Sequence, residues 1–318
     1  MSAALSSGKT LLTFGGTETF LLFVQGYPLR EFAAFEVLDN EKAWRRLQEE
    51  LLTPIATAAS DHNHGLITDC LVWRASPDYV RQLGYPAEDL KRINKEAVCR
   101  IKDYLSSWRS KTGVSTESFP VILAADLGPR GDGYKSSDIT VEAAFEYHIS
   151  QIRALAETEL DLAIAYTLTN VNEAVGMVRA AKECGLPMAV SSTVETDGTL
   201  PGGTSLSDFI KQVDDATDGY AAFHMVNCTH PEHLEPTLRA AKAKNESWVG
   251  RVKGLRANAS RKSHEELDNS TELDRGDPAN LASQLATLRK SFDFNVVGGC
   301  CGTDAEHLSA IAKACTAN

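Results

Sequence analysis

The sequence has little basic charge, no long apolar run near its start and no cysteine framework, and each shortage excludes something. Its 318 residues carry 32 Lys and Arg against 43 Asp and Glu, a formal net charge of −11. Nucleic acid is thereby excluded as a main partner, because phosphate binding needs clustered cations. The apolar stretch Leu21–Val24 falls far short of the roughly 20 residues that cross a bilayer, so no membrane segment is expected. Met1–Thr10, rich in Ser and Ala with one Lys, lacks the basic start and apolar centre of a secretory signal and reads as a loose lead-in. The seven cysteines (Cys70, Cys99, Cys184, Cys228, Cys300, Cys301, Cys315) are odd in number and irregularly spaced, which points to reduced thiols in a cytoplasmic protein. What is present is ordinary: 43% hydrophobic and 24% charged residues, enough for a large core.

Short runs with strand character alternate eight times with longer segments of helical period. The strand candidates are Leu11–Gly15, Gly65–Trp73, Pro120–Leu127, Leu160–Thr167, Pro187–Val194, Tyr220–Cys228, Trp248–Asn258 and Phe294–Gly299. Several are almost continuously apolar, as strands covered on both faces are. Helix starts between them are marked by Ser76-Pro77 and by the box-like pairs Asn170/Glu173, Ser205/Asp208, Thr229/Glu232 and Thr303/Glu306. A long helix is expected from about Pro86 to Ser110, with Ile93, Ala97, Ile101 and Leu105 on its inner face. Eight strand-helix units favour a single α/β domain over residues 1–318, a (β/α)8 TIM barrel, over the doubly wound alternative. The polar segments Gly128–Asp138, Asp197–Thr204 and Ser260–Asp277 all follow strands, which places them on the carboxyl face where barrels carry their sites.

Two strand ends deliver thiols to that face. Cys228 closes AAFHMVNC, and Cys300 with Cys301 closes FNVVGGCCG. Adjacent cysteines share one metal only in a turn, and Gly298, Gly299 and Gly302 supply that freedom. Three converging thiolates suit Zn²⁺, which in catalytic sites keeps three protein ligands and one open position. Cys70, Cys99, Cys184 and Cys315 lie in ordinary strand or helix patterns and read as packing residues. His62 and His64 precede the second strand, on the opposite face, and read as loop residues; His230 and His233 read as surface groups or neighbours of the ligands.

VNCTHPEH and VVGGCCGTDAEH resemble the zinc-thiolate motifs of the homocysteine S-methyltransferase family, which includes betaine- and S-methylmethionine-dependent enzymes. The likeness extends over nearly the whole chain. LLTFGGTET, ITDCLVWRASPDY, VILAADLGPRGDGY and AVSSTVETDGTLPGGTSL are similar to the family's first, second, third and fifth strands with their loops. The resemblance implies the barrel fold, Cys228, Cys300 and Cys301 as catalytic ligands of one zinc ion, and a place in methionine biosynthesis. In the family the first strand ends in an acid and the fourth in a Glu, both serving the homocysteine amino group. Here the matching positions are Phe14 and Tyr166, so a thiol without an amino group is expected to be the better acceptor, with Glu18 as the one remaining acid.

The implied partners are a small-molecule thiol acceptor and a cationic methyl donor, a sulfonium or quaternary ammonium. Trp73, Tyr27 and Tyr166 are candidates to hold such a cation on their faces. Gly15, Gly16 and Thr17, in a turn with free backbone N–H groups, are candidates for a substrate carboxylate, and Asn258 for a substrate hydrogen bond. A homo-oligomer is compatible with these features. The competing reading is a non-catalytic zinc or thiol sensor on a retained barrel.

Overall fold

In the computed structural model, residues 7–135 and 137–316 are described; most of the expected lead-in, residues 1–6, lies outside them. Nine parallel strands form one sheet: β1 (Leu11–Thr13), β2 (Gly65–Ile67), β3 (Val121–Ile122), β4 (Ala124–Leu127), β5 (Leu162–Leu168), β6 (Met188–Ser192), β7 (His224–Thr229), β8 (Val252–Ala257) and β9 (Val296–Gly299). Their order is β3-β2-β1-β9-β8-β7-β6-β5-β4. Strands β3 and β4 are one chain segment interrupted at Leu123, so the two ends of that order join and the sheet is a (β/α)8 barrel with one split strand.

The split has a local cause. Leu123 turns its backbone out of the ladder, its N–H donating to the Asp161 carboxylate and its carbonyl accepting from Asp161 N–H. The Thr68 hydroxyl fills the gap, accepting from Ala124 N–H at 2.9 Å while Thr68 N–H donates to Ile122. Every backbone group at the seam thus keeps a partner, as burial requires.

Two cores result. Leu11, Ile67, Ile122, Ile164, Met225 and Val296 fill the inside of the barrel, and a larger cluster lies between the strands and the surrounding helices. The long helix runs Asp89–Thr112, two or three residues later than expected, and ends on Gly113 at φ 72°, a left-handed stop that glycine adopts without steric cost. Its expected inner face, Ile93, Ala97, Ile101 and Leu105, is buried. No helix among the described residues is long and apolar enough to cross a membrane.

Caps at Asn170 and Ser205 form as the pattern foresees, accepting from Glu173 and Asp208 N–H. Two others shift by one residue. Thr229 spends its hydroxyl on Val194 across the sheet, and His230 caps Pro231–Ala243 instead. Thr303 donates to the Cys300 carbonyl, and Asp304 accepts from Glu306 and His307 N–H at the start of the last helix. His64 is also more than a loop residue: it is buried, with Nε2 2.8 Å from the Ala312 carbonyl of that helix.

Candidate functional site

The ends of β2, β5, β7, β8 and β9 surround a cavity of about 390 Å³ that takes in Cys228, Cys300 and Cys301. Five non-glycine residues on its wall, Glu31, Phe32, Leu71, Thr167 and Cys228, have φ of 49°, 56°, 64°, 61° and 52°. Such left-handed conformations cost free energy and persist only where the surroundings enforce them. At Thr167 the enforcement is visible: Asn227 accepts from Thr167 N–H at 2.8 Å and from the Ser191 hydroxyl at 2.7 Å, and donates to the Thr167 hydroxyl at 2.9 Å. The pairing of β5 with β6 and of β7 with β8 shifts register here, and such bulges re-aim side chains. At Cys228 the carbonyl accepts from Asn258 Nδ2 at 3.1 Å and faces His264 Nε2 at 2.8 Å, while His264 Nδ1 lies 3.0 Å from Glu195.

The three sulfurs lie within 4.8 Å of one another, with Cys228 and Cys301 4.0 Å apart. A tetrahedral centre with Zn–S bonds of about 2.3 Å separates its sulfurs by about 3.8 Å, so the triangle fits such an ion. The adjacent pair is held in a turn by Cys300 N–H on the Ala257 carbonyl and Thr303 on the Cys300 carbonyl, with Gly302 at φ 80°. Arg256 reinforces it, donating to the carbonyls of Gly299 at 2.8 Å and Gly15 at 2.9 Å. Hydrogen bonds from Cys300 and Cys301, ahead of Tyr134 and Arg256, hold the Cys228 thiol well below its ordinary range. Cys300 and Cys301 are pushed up, in both cases first by the hydrogen bond to Cys228. A dication held among the three would favour the thiolate form of each. Tyr134, whose acidity burial suppresses, donates its O–H to Cys228 Sγ at 3.4 Å.

The remaining residues singled out from sequence divide. Thr17, Glu18, Trp73 and Tyr166 line the cavity. Gly15 and Gly16 stand behind it: a Cβ on Gly16 would lie 2.4 Å from the Cys300 carbonyl oxygen. Asn258 lies off the cavity wall and acts on the Cys228 backbone. Tyr27 is elsewhere, its hydroxyl on the Glu36 carbonyl. The aromatic faces are not vacant either. The Arg74 guanidinium sits 3.8 Å over Trp73, and that of Arg256 5.0 Å over Tyr166. His230 is buried, and burial lowers its pKa to about 4.

Phe14 is fully buried and not on the wall. Acids reach the cavity from other positions. Asp69 just past β2 is buried and ion-paired through Oδ2 with Arg256 at 2.8 Å, while its Oδ1 has no partner. Glu18 lies on the same wall, and burial raises its carboxyl to about 7. Asp126 is already engaged, accepting from Val72 and Trp73 N–H at 3.2 Å. Sequence reasoning passed over Asp69, Asp126, Arg256, Arg74, Tyr134 and His264. The first three were visible as charges within otherwise apolar strand ends, whereas Tyr134 sits in a loop and His264 opens the short helix His264–Asp268, and no periodicity encodes the path of either segment.

The family model for homocysteine S-methyltransferase matches residues 66–315. Homocysteine S-methyltransferase YbgG of Bacillus subtilis is 29% identical over 201 residues, covering 60% of each chain. Betaine–homocysteine S-methyltransferase 1 of Bos taurus is 25% identical over 97% of this chain and 73% of its own. In fold, the homocysteine methyltransferase MmuM from Escherichia coli superposes with a TM-score of 0.74 in its oxidised form, at 17% identity over 97% of this chain and 96% of that one. Its metallated form gives 0.72 at 17% identity, over 98% of both chains. With the family model spanning most of its length, from the second strand to the last helix, this chain belongs to the homocysteine S-methyltransferase family.

Proposed function

We propose that the protein is a zinc-dependent thiol S-methyltransferase, moving a methyl group from a sulfonium or quaternary ammonium donor to a thiol bound beside Cys228, Cys300 and Cys301. The observation that carries this reading is the cysteine triangle, three sulfurs within 4.8 Å at the wall of a cavity large enough for two small molecules. Zinc held there would bind the incoming thiol as thiolate, making it nucleophilic at neutral pH.

This chain's residues then have distinct tasks. Asn258 and Arg256 hold the backbone of the two cysteine segments. Tyr134 spreads negative charge away from Cys228 through its O–H. Asp69 and Glu18 offer carboxyl groups to an ammonium on the acceptor, which supports homocysteine or a related amino thiol alongside a thiol without an amino group. In the transfer, the acceptor sulfur lone pair forms the new S–CH3 bond. The bond from methyl to the donor's positive centre breaks and its electron pair stays on the donor, which leaves as a neutral thioether or amine; the thiol proton goes to solvent. Alignment of the two reactants within the cavity supplies much of the acceleration.

The test is a mass-spectrometric screen of zinc-loaded protein against thiols (homocysteine, mercaptopropionate) crossed with donors (betaine, S-methylmethionine, dimethylsulfoniopropionate). A methylated thiol that disappears with Cys300→Ser is expected. Tight thiol binding with no methyl transfer from any donor favours a sensor instead.

A further inference from the structure

Glu173 and His148 form a buried ionisable pair that the proposed transfer leaves without a task. Glu173 is 2% exposed near the start of the helix Val171–Cys184, and His148 is wholly enclosed on the helix Val141–Ala156. Such a pair gains little over apolar residues of the same size, so its value has to lie in what it holds. Sequence spacing marks Glu173 as the acid of a capping box with Asn170. Asn170 plays its half, accepting from Glu173 N–H at 3.1 Å, but the Glu173 carboxyl does not turn back to the helix start as a box requires. Its Oε1 instead accepts from the N–H of Arg130 at 2.6 Å and lies 2.9 Å from His148 Nε2. Arg130 serves there through its backbone alone; its side chain lies half-exposed over Tyr147 and pairs with Asp78 at 3.0 Å.

That backbone opens the segment that carries Tyr134 to the sulfurs. Gly131, Asp132 and Lys135 are exposed on its outer side, so its path is set from beneath. The start of the same helix grips it at four points: Glu173 at the Arg130 N–H, and Thr169, Asn170 and Asn172 at the carbonyls of Lys135, Ser137 and Ile139, at 2.9, 2.5 and 3.1 Å. Arg74 and Tyr79 hold the Gly131 carbonyl from the other side. Glu173 fixes the end where the chain leaves β4 and Thr169 the end just past Tyr134, so the two define the span on which Tyr134 sits. Gly131, at φ 84°, and Gly133 lend that span little stiffness of its own. The Tyr134 hydroxyl meets Cys228 Sγ at 3.4 Å and Cys301 Sγ at 4.0 Å, contacts that a displacement of about 1 Å would break.

We propose that Glu173 is a positioning residue for the cysteine site: by holding the Arg130 N–H it sets the loop that brings the Tyr134 hydroxyl against Cys228, with His148 fixing the carboxyl from behind. Its bearing on catalysis rests on the methyl-transfer reading; the placement of Tyr134 does not.

Two substitutions separate reach from acidity. Glu173→Asp keeps an acid at the helix start but withdraws it by one C–C bond, about 1.5 Å; Glu173→Gln keeps the reach and an accepting oxygen. Zinc affinity of the full-length protein, measured by chelator competition, is expected to fall about 10- to 100-fold in Glu173→Asp and in Tyr134→Phe, the usual cost of losing a partner behind a metal ligand. Combining the two should cost no more than either alone, and Glu173→Gln should keep most of the affinity. Hydrogen exchange at the Arg130 and Tyr134 amides, read by mass spectrometry on metal-free protein, should quicken about tenfold in Glu173→Asp but not in Glu173→Gln. Circular dichroism and melting confirm that each variant folds. A Gln variant that loses as much as Asp overturns the proposal, since acidity at the helix start and not reach would then matter. Additive losses in the combined variant overturn it, because Glu173 would act by a route other than Tyr134. So does wild-type zinc affinity in Glu173→Asp, whatever its exchange. A wild type that takes up no zinc refutes the zinc reading, and the metal-free exchange then decides: quickened Arg130 and Tyr134 amides in Glu173→Asp support the anchor, and unchanged ones overturn it.

Discussion

Gly16→Ala tests whether the first strand's turn sets the geometry of the cysteine site. Gly16 has φ −74°, a value open to any residue, so the effect of an added methyl is steric and not conformational. The Cβ would meet the Cys300 carbonyl oxygen at 2.4 Å and the Thr19 hydroxyl at 2.6 Å. Ordinary carbon–oxygen contact begins near 3.3 Å, so about 0.9 Å must be recovered. Thr19 can rotate, at the loss of its bonds to the Gly16 carbonyl and Gly302 N–H. Cys300 has less freedom, because its N–H is tied to Ala257 at 2.7 Å and its carbonyl to Thr303 at 2.7 Å. The displacement must then enter the turn that carries Cys300 and Cys301. Metal sites tolerate about 0.2 Å in ligand position, several times less than the shift imposed. We expect zinc affinity to fall about 10- to 100-fold and the metal-free protein to lose about 1–3 kcal/mol from overpacking. Chelator competition measures the first and urea unfolding the second. Gly250→Ala, where nothing lies within 4 Å of the new Cβ, is the control and should leave zinc affinity unchanged. Wild-type zinc affinity in Gly16→Ala would refute the argument.

Three further outcomes follow from the same structure. Chelation should stop methyl transfer while far-ultraviolet circular dichroism is retained, because the two apolar cores hold the barrel without metal; loss of secondary structure would make the ion structural. Asp69→Asn should lower kcat/KM for homocysteine about 10- to 100-fold relative to mercaptopropionate, the effect of one missing charge-assisted hydrogen bond, and equal losses for both thiols would remove Asp69 from amino-group recognition. Burial would raise the Asp214 carboxyl, but hydrogen bonds from His224 at 2.9 Å and Arg251 at 2.8 Å outweigh it and hold it at about 2, against an ordinary 3.8. A depressed folded-state value stabilises the protein fully above about pH 4, and the contribution of about 2 kcal/mol is lost as pH falls toward 2. Asp214→Asn should therefore cost about that much at pH 7 and flatten urea-unfolding stability over this acid range; an unchanged profile would show that the pair adds nothing.

The barrel was legible because buried parallel strands leave continuous apolar runs, and GGCCG and VNCTH stand out at their ends. Position along a strand was legible; direction within the cavity was not. That Trp73 and Tyr166 have faces covered by Arg74 and Arg256 depends on rotamers and on a partner 90 residues away in the case of Tyr166, which a linear pattern does not carry. The loss of acids at Phe14 and Tyr166 was read position by position, yet a carboxylate can serve one point in a cavity from any of several strands, and here Asp69 approaches from β2. The shifted caps at His230 and Asp304 have the same origin: the nearer hydroxyls, on Thr229 and Thr303, are drawn into cross-sheet and turn bonds that only the assembled fold creates.

The hydroxyl of Thr68 makes the barrel a hoop with one clasp. Backbone pairs link β2 to β3 and β4 to β5; where Leu123 leaves the ladder between them, the Thr68 hydroxyl joins β2 to β4. Elastic deformation of a ring gathers at its softest joint, and this joint lies beneath the stretch of β2 that leads to Asp69, Trp73 and Arg74. The cysteines lie across the circumference on β7 and just past β9. Opening of that joint would shift Asp69, Trp73 and Arg74 relative to Cys228, Cys300 and Cys301 while leaving the three sulfurs in place.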